Sequence, residues 1–112
     1  MEKKVAIVLA KRTAIGGYKK SLLDKNIVDI ATKLIKKSID KKNINKVDEV
    51  IMGMVMQSGY GQNVARQISI KSGVPIKASS YTVNMVCGSG MKAVELGANS
   101  ILLGKSKIVL VG

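Results

Sequence analysis

The sequence predicts an α/β fold in which strands and helices alternate about a sheet covered on both faces. Two observations carry this. Short apolar runs at Val5–Leu9, Val47–Met56, Tyr81–Val83 and Ile108–Val111 lie between turn residues, and the residues of the first and last runs are continuously apolar, as in strands buried on both sides. Between them the apolar residues fall at helical spacing instead. The 112 residues suffice for one domain with one core and are too few for two ordinary domains.

Val5-Ala6-Ile7-Val8-Leu9 is the first strand, and Arg12-Thr13-Ala14-Ile15-Gly16-Gly17 breaks it. Ser21 with Asp24 three residues later is similar to a helix cap. Leu23, Ile27, Ile30, Ala31 and Leu34 then form one apolar helical face, with Lys33, Lys36 and Lys37 largely opposite. Asp40–Lys46 reads as a polar connector, and Val47–Met56 as a strand interrupted by Gly53. Gln62–Lys71 reads as a short helix that stops before Gly73 and Pro75. Tyr81–Val83 is a third strand. Met91–Leu103 is a helix with so little polar surface that deep burial is expected. Ile108–Val111 is the fourth strand.

Aromatic residues make up only 3% of the chain, so its core is aliphatic and Met-filled; Met52, Met54 and Met56 read as core filler. The net charge of +12 attracts anions in general. The lysines are scattered with no aromatic stacking platform between them, which reads as a solvated face and argues against nucleic acid as a partner. No apolar run approaches the ~18 residues of a membrane span, so no membrane partner is expected. A single cysteine cannot form an internal disulfide, which together with the lack of a signal peptide points to the cytoplasm.

Cys87 is that one cysteine, between a predicted strand and a predicted helix, flanked by Gly88 and Gly90. It has two readings. A thiol at a helix N-terminus is a candidate nucleophile, served by unpaired N–H groups and a positive dipole. A cysteine between a strand and a buried helix is also a common small core residue. The chain has no histidine, so a histidine base for the thiol must come from elsewhere, and a Cys/His zinc site is excluded. Asp48 and Glu49 are adjacent and point to opposite faces of a strand, which offers no metal site; they read as an exposed strand entrance. Gly16-Gly17 lacks the spacing of a dinucleotide loop.

Asn84–Val94, N-M-V-C-G-S-G-M-K-A-V, resembles the acyl-accepting cysteine segment of the thiolases, the acetyl-CoA acetyltransferase family. Val5–Gly16 with Arg12-Thr13 looks like that family's first strand and loop. Gly61–Gln67, G-Q-N-V-A-R-Q, resembles its second-helix motif, and Ile108–Gly112 the strand after the cysteine helix. Ala14 and Val64 stand where the family commonly has proline, which touches loop stiffness and no chemistry.

The resemblance implies a layered α/β/α sheet of which only the first part of the N-terminal half is present. Residues 1–112 would be an incomplete N-terminal domain, cut after its fourth strand. It implies Cys87 as the nucleophile that takes an acyl group from acyl-CoA, its main-chain N–H contributing to an oxyanion hole. The reaction would join two acetyl-CoA to acetoacetyl-CoA and CoA, or run in reverse, when completed by the missing residues. Coenzyme A thioesters would be substrates, with no separate cofactor, and the full-length form a homo-oligomer, dimer or tetramer. The chain alone is expected to be inactive. Because the family's fifth strand lies antiparallel between its fourth and first, Val5–Leu9 would have no partner strand here, leaving apolar edges. A fragment of a ketoacyl synthase and a non-catalytic association module are the alternatives; G-S-G-M-K-A after the cysteine and the Q-N-x-A-R-Q motif favour thiolase.

Overall fold

In the computed structural model, which describes residues 2–112, α1 (Ile27–Ser38), α2 (Lys41–Ile44), β1 (Glu49–Gly53), α3 (Val64–Ser72), β2 (Ser79–Val83), α4 (Ser89–Leu102) and β3 (Val109–Val111) follow in order. The three strands form one parallel sheet in the order β2-β1-β3. Parallel neighbours require crossovers, and α3 and α4 supply them.

Period-two alternation along β1 divides the core. Val50 and Met52 join Val28 and Ile35 of α1 and Val64, Ala65 and Ile68 of α3 in one apolar cluster. Glu49, Ile51 and Gly53 face the other way, with Val109 and Val111 beside Glu49 and Ile51 in register. There α4 covers them, and a side chain at its Gly97 would strike Val111. The sheet is therefore sandwiched, α1 and α3 on one face and α4 on the other, the layered α/β/α arrangement expected. Ile51, wholly buried in its centre, is the largest fully enclosed side chain.

Four expectations need correction. Val5–Leu9 forms no strand: it lies exposed, with Val8 91% accessible. A strand needs a neighbour for its N–H and C=O groups, and none reaches this run. The first helix begins at Ile27, not after Ser21, because the Asn26 side chain caps it by accepting from Val28 N at 2.8 Å. Its buried face is Val28, Thr32 and Ile35, one step around from the predicted stripe, and Leu23 stays outside the helix, 60% exposed. The connector after Asp40 contains the short helix α2, capped by Asp40 on Asn43 N, which tucks Ile44 into the core. Finally, α4 buries only the face Ser89, Ala93, Gly97 and Ser100; Met91 in its first turn and Leu103 at its C-cap are exposed, so deep burial does not occur. Among the methionines predicted to fill the core, Met52 does so, Met54 packs partly against it, and Met56 is exposed.

Between α1, β3 and the segment at Ile7–Lys11 lies an apolar cleft of about 490 Å³, floored by Met52, Leu110 and Val111 and walled by Ala31 and Ile35. It follows the outer edge of β3, which pairs only with β1.

Candidate active site at the Cys87 turn

The C-terminal ends of β1 and β2 open onto the turn at 84–88, the end of a parallel sheet where ligands usually sit. Leaving β2 at Val83, the chain is tied to its neighbour by Asn84, whose Nδ2 donates to the Val55 carbonyl at 3.2 Å. Asn84 Oδ1 turns back and accepts from Val86 N at 2.9 Å. Val86 then takes φ +48°, the left-handed region that a β-branched residue enters only under constraint. The reversal brings Gly88 N to donate to Met85 O at 3.0 Å and Ser89 N to Val86 O at 3.1 Å, and α4 starts there with Gly88 as its N-cap.

Ser89 fastens the turn from within. Its side chain is buried, its Oγ donates to Val86 O at 2.6 Å and accepts from Met85 N at 2.8 Å. Below it, β1 comes so close that only glycine fits at position 53: a Cβ there would stand 2.6 Å from Gly90 N and from the Ser89 carbonyl oxygen. The sequence showed Gly53 only as a break in a strand. Its role is to let the N-terminus of α4 rest on the sheet.

Cys87 sits at the crest of this turn, two residues before the first residue of α4, with its thiol exposed and free. The reading of Cys87 as core filler is thereby overturned, since the turn carries it away from both apolar layers. Its main-chain N–H donates no hydrogen bond among the described residues. Met85 and Val86 before it and Met91 in the first turn of α4 expose apolar surface. An exposed thiol with an unpaired N–H beside it, at the head of a 14-residue helix, can attack an electrophilic carbon and help hold the oxygen that becomes negative. The described residues bring no histidine and no carboxylate to this turn, so nothing in it acts as a general base.

The Gln62–Gln67 segment serves as scaffold. Asn63, in the left-handed region as the N-cap of α3, donates through Nδ2 to Ser80 O at 2.9 Å and accepts from Thr82 Oγ1 at 3.1 Å. Arg66 spreads its guanidinium over Ala78 O and Ile76 O at 3.0 and 2.9 Å. Gln67 Nε2 donates to Tyr60 O and Gln62 O. Together they pin α3 to β2 and to the loop that follows β1.

At the far end of the sheet, Asp48 and Glu49 do more than mark an exposed entrance. Asp48 accepts from the main-chain N–H groups of Lys107 and Ile108 at 2.8 and 3.0 Å, and those bonds hold its carboxyl below the usual carboxylate range. Glu49, partly buried under α4, accepts from Ser100 Oγ and from Ser106 Oγ. Burial, and then the adjacent Glu49 charge, push the Tyr81 phenol up. No signal in the sequence pointed to this cluster, because its members come from four separate segments.

The family model for the thiolase N-terminal domain matches residues 5–112. An acetyl-CoA acetyltransferase of Escherichia coli K12 is 45% identical over 112 residues, 98% of this chain and 28% of that protein. One from Cupriavidus necator is 44% identical over 110 residues, again 28% of its length. Among solved structures, the Acat5 thiolase of Ascaris suum in complex with coenzyme A superposes with a TM-score of 0.76 at 38% identity, over 82% of this chain and 25% of that one. An acetyl-CoA acetyltransferase of Syntrophomonas wolfei superposes with a TM-score of 0.79 at 29% identity, over 87% and 25%. The chain thus spans little more than a quarter of the length of the relatives it matches. Among the described residues no helix is long and apolar enough to cross a membrane.

Proposed function

The chain belongs to the thiolase N-terminal domain family, and on that premise we propose that it contributes the acyl-accepting cysteine, Cys87, to an acetyl-CoA C-acetyltransferase. The observation that carries the proposal is the Cys87 turn: an exposed thiol and an unpaired main-chain N–H on one crest, at the head of α4.

In this reading the Cys87 thiolate attacks the carbonyl carbon of acetyl-CoA, and the Cys87 N–H donates to the oxygen as it gains charge. The carbon–sulfur bond to CoA breaks, CoA departs carrying a proton, and the acetyl group remains as a thioester on Cys87. The carbanion of a second acetyl-CoA then attacks that thioester, forming the new carbon–carbon bond of acetoacetyl-CoA and returning the electron pair to the Cys87 sulfur. Thiolysis of acetoacetyl-CoA runs the same steps backwards. Substrates are coenzyme A thioesters and no separate cofactor enters.

The bases that ionise the thiol and form the carbanion come from outside these 112 residues, since the chain has no histidine or second cysteine. The free edge of β3, the apolar cleft beside it and the unpaired run Val5–Leu9 support completion of the sheet by further polypeptide. By itself the chain is expected to show no turnover, and the completed protein to act as a homo-oligomer. The test is exchange of labelled CoA into acetyl-CoA, which needs only acetyl transfer to Cys87 and back, in this chain joined to the C-terminal remainder of its Escherichia coli relative. Exchange that Cys87→Ala abolishes supports the reading, and exchange that survives Cys87→Ala refutes it.

A further inference from the structure

Val86 stands in a conformation that its side chain resists. A β-branched residue at φ +48° is an outlier that persists only where its surroundings impose it, and such outliers gather at functional sites. Two side chains impose it here. Asn84 Oδ1 takes the Val86 N–H, and Ser89 Oγ takes the Met85 N–H while donating to the Val86 carbonyl. The peptide groups on both sides of Val86 are therefore gripped, and Val86 itself, 63% exposed, receives no packing that would hold it there.

We infer that Ser89 is a positioning residue for Cys87: its buried hydroxyl holds Val86 in the left-handed region, and that reversal is what aims the Cys87 main-chain N–H outward beside the exposed thiol. The inference deepens the reading of Cys87 as acyl acceptor and rests on it. Ser89 touches no substrate in this account. It acts through the backbone of Val86, while its own backbone rests against Gly53 beneath it.

Two reagents separate positioning from mere integrity. Iodoacetamide alkylates a thiol with no oxyanion to stabilise, whereas p-nitrophenyl acetate passes through a tetrahedral oxyanion that the Cys87 N–H can hold as nitrophenolate departs. In the 112-residue chain, Ser89→Ala is expected to slow acetylation of Cys87 by roughly five- to tenfold, less than the ~10² that a donor in an enclosed oxyanion site contributes. Alkylation should be unchanged. The strong intraresidue Hα–HN cross-peak that a positive φ gives Val86 should weaken in parallel. Adding Val86→Gly to Ser89→Ala should restore most of the acetylation rate, because glycine adopts positive φ without a clamp.

Equal losses of acetylation and alkylation, an unchanged acetylation rate, or no rescue by Val86→Gly would each overturn the inference. If Ser89→Ala lowers helix content, Ser89→Thr, which keeps the hydroxyl, must retain the wild-type ratio of the two rates for the inference to stand. Neither reagent contains coenzyme A. Failure of the acetyl-CoA reading would show in the CoA exchange assay, and failure of the positioning reading in this ratio.

Discussion

Gly53 of β1 and Ser89 of α4 meet backbone to backbone, with no room between them for a single methyl group. The contact sets the height of the Cys87 turn above the sheet, because Ser89 is both the residue resting on β1 and the one whose hydroxyl closes the turn.

Gly53→Ala should therefore lift the head of α4. Forcing an extra methyl into a packed contact costs ~1–3 kcal/mol, and here the listener to that strain is backbone, which cannot rotate aside. Urea unfolding is expected to show a loss of that size. The rate of Cys87 alkylation should change as well, whereas Gly90→Ala, where an added Cβ meets nothing within 4 Å, should leave stability nearly unaltered.

Arg66 binds two carbonyls of the segment leading into β2 and no carboxylate. Arg66→Ala removes two charge-assisted bonds and is expected to cost ~1.5–3 kcal/mol per bond at most, with partial replacement by water lowering the total. Arg66→Lys should recover less than half, since an ammonium lacks the planar fork that spans both oxygens. Thermal unfolding of the two variants checks both statements.

Much of this site was legible in the residues. Cys87 between a strand and a helix, with Gly88 and Gly90 just after it, announced a turn at a helix head, and the motif around it announced the family. What was not legible depended on contacts between distant segments. Val5–Leu9 has every intrinsic mark of a buried strand; the resemblance implied that its partner would be lacking, and without that neighbour the run forms no strand at all. The stripe through Leu23 and Ile30 was displaced because Asn26 fixes where α1 begins, and α3 then selects Val28, Thr32 and Ile35. Gly53 and Ser89 look unremarkable in sequence, 36 positions apart, and gain meaning only where α4 crosses β1.

The Asp48 carboxyl, held low by the Ile108 and Lys107 amides, links stability to acid. A group whose folded value lies below its unfolded one adds stability above the unfolded value, near 3.8, and loses it as pH falls through the folded value. The parent chain should therefore lose stability below about pH 4 more steeply than Asp48→Asn, the two curves converging at the lowest pH, as urea midpoints across an acid series would show. Asp48 is largely exposed, which keeps the effect small.

Tyr81 gives the opposite sign. Burial first, and the Glu49 carboxylate second, raise its phenol above the ordinary value of 10.0. Its contribution is present below that value and disappears as pH rises through the folded one. Absorbance titration is expected to find the Tyr81 phenol ionising late, and Glu49→Gln to bring it part of the way down while burial keeps it raised.

The most direct measurement is the intact mass of this chain, joined to the C-terminal remainder of its Escherichia coli relative, after brief exposure to acetyl-CoA, beside its Cys87→Ala counterpart. The account predicts one acetyl group, mapped to the peptide containing Cys87 and removed by free CoA, and none in Cys87→Ala. A folded protein that takes up no acetyl group at Cys87, or one whose acetylation persists in Cys87→Ala, would contradict it.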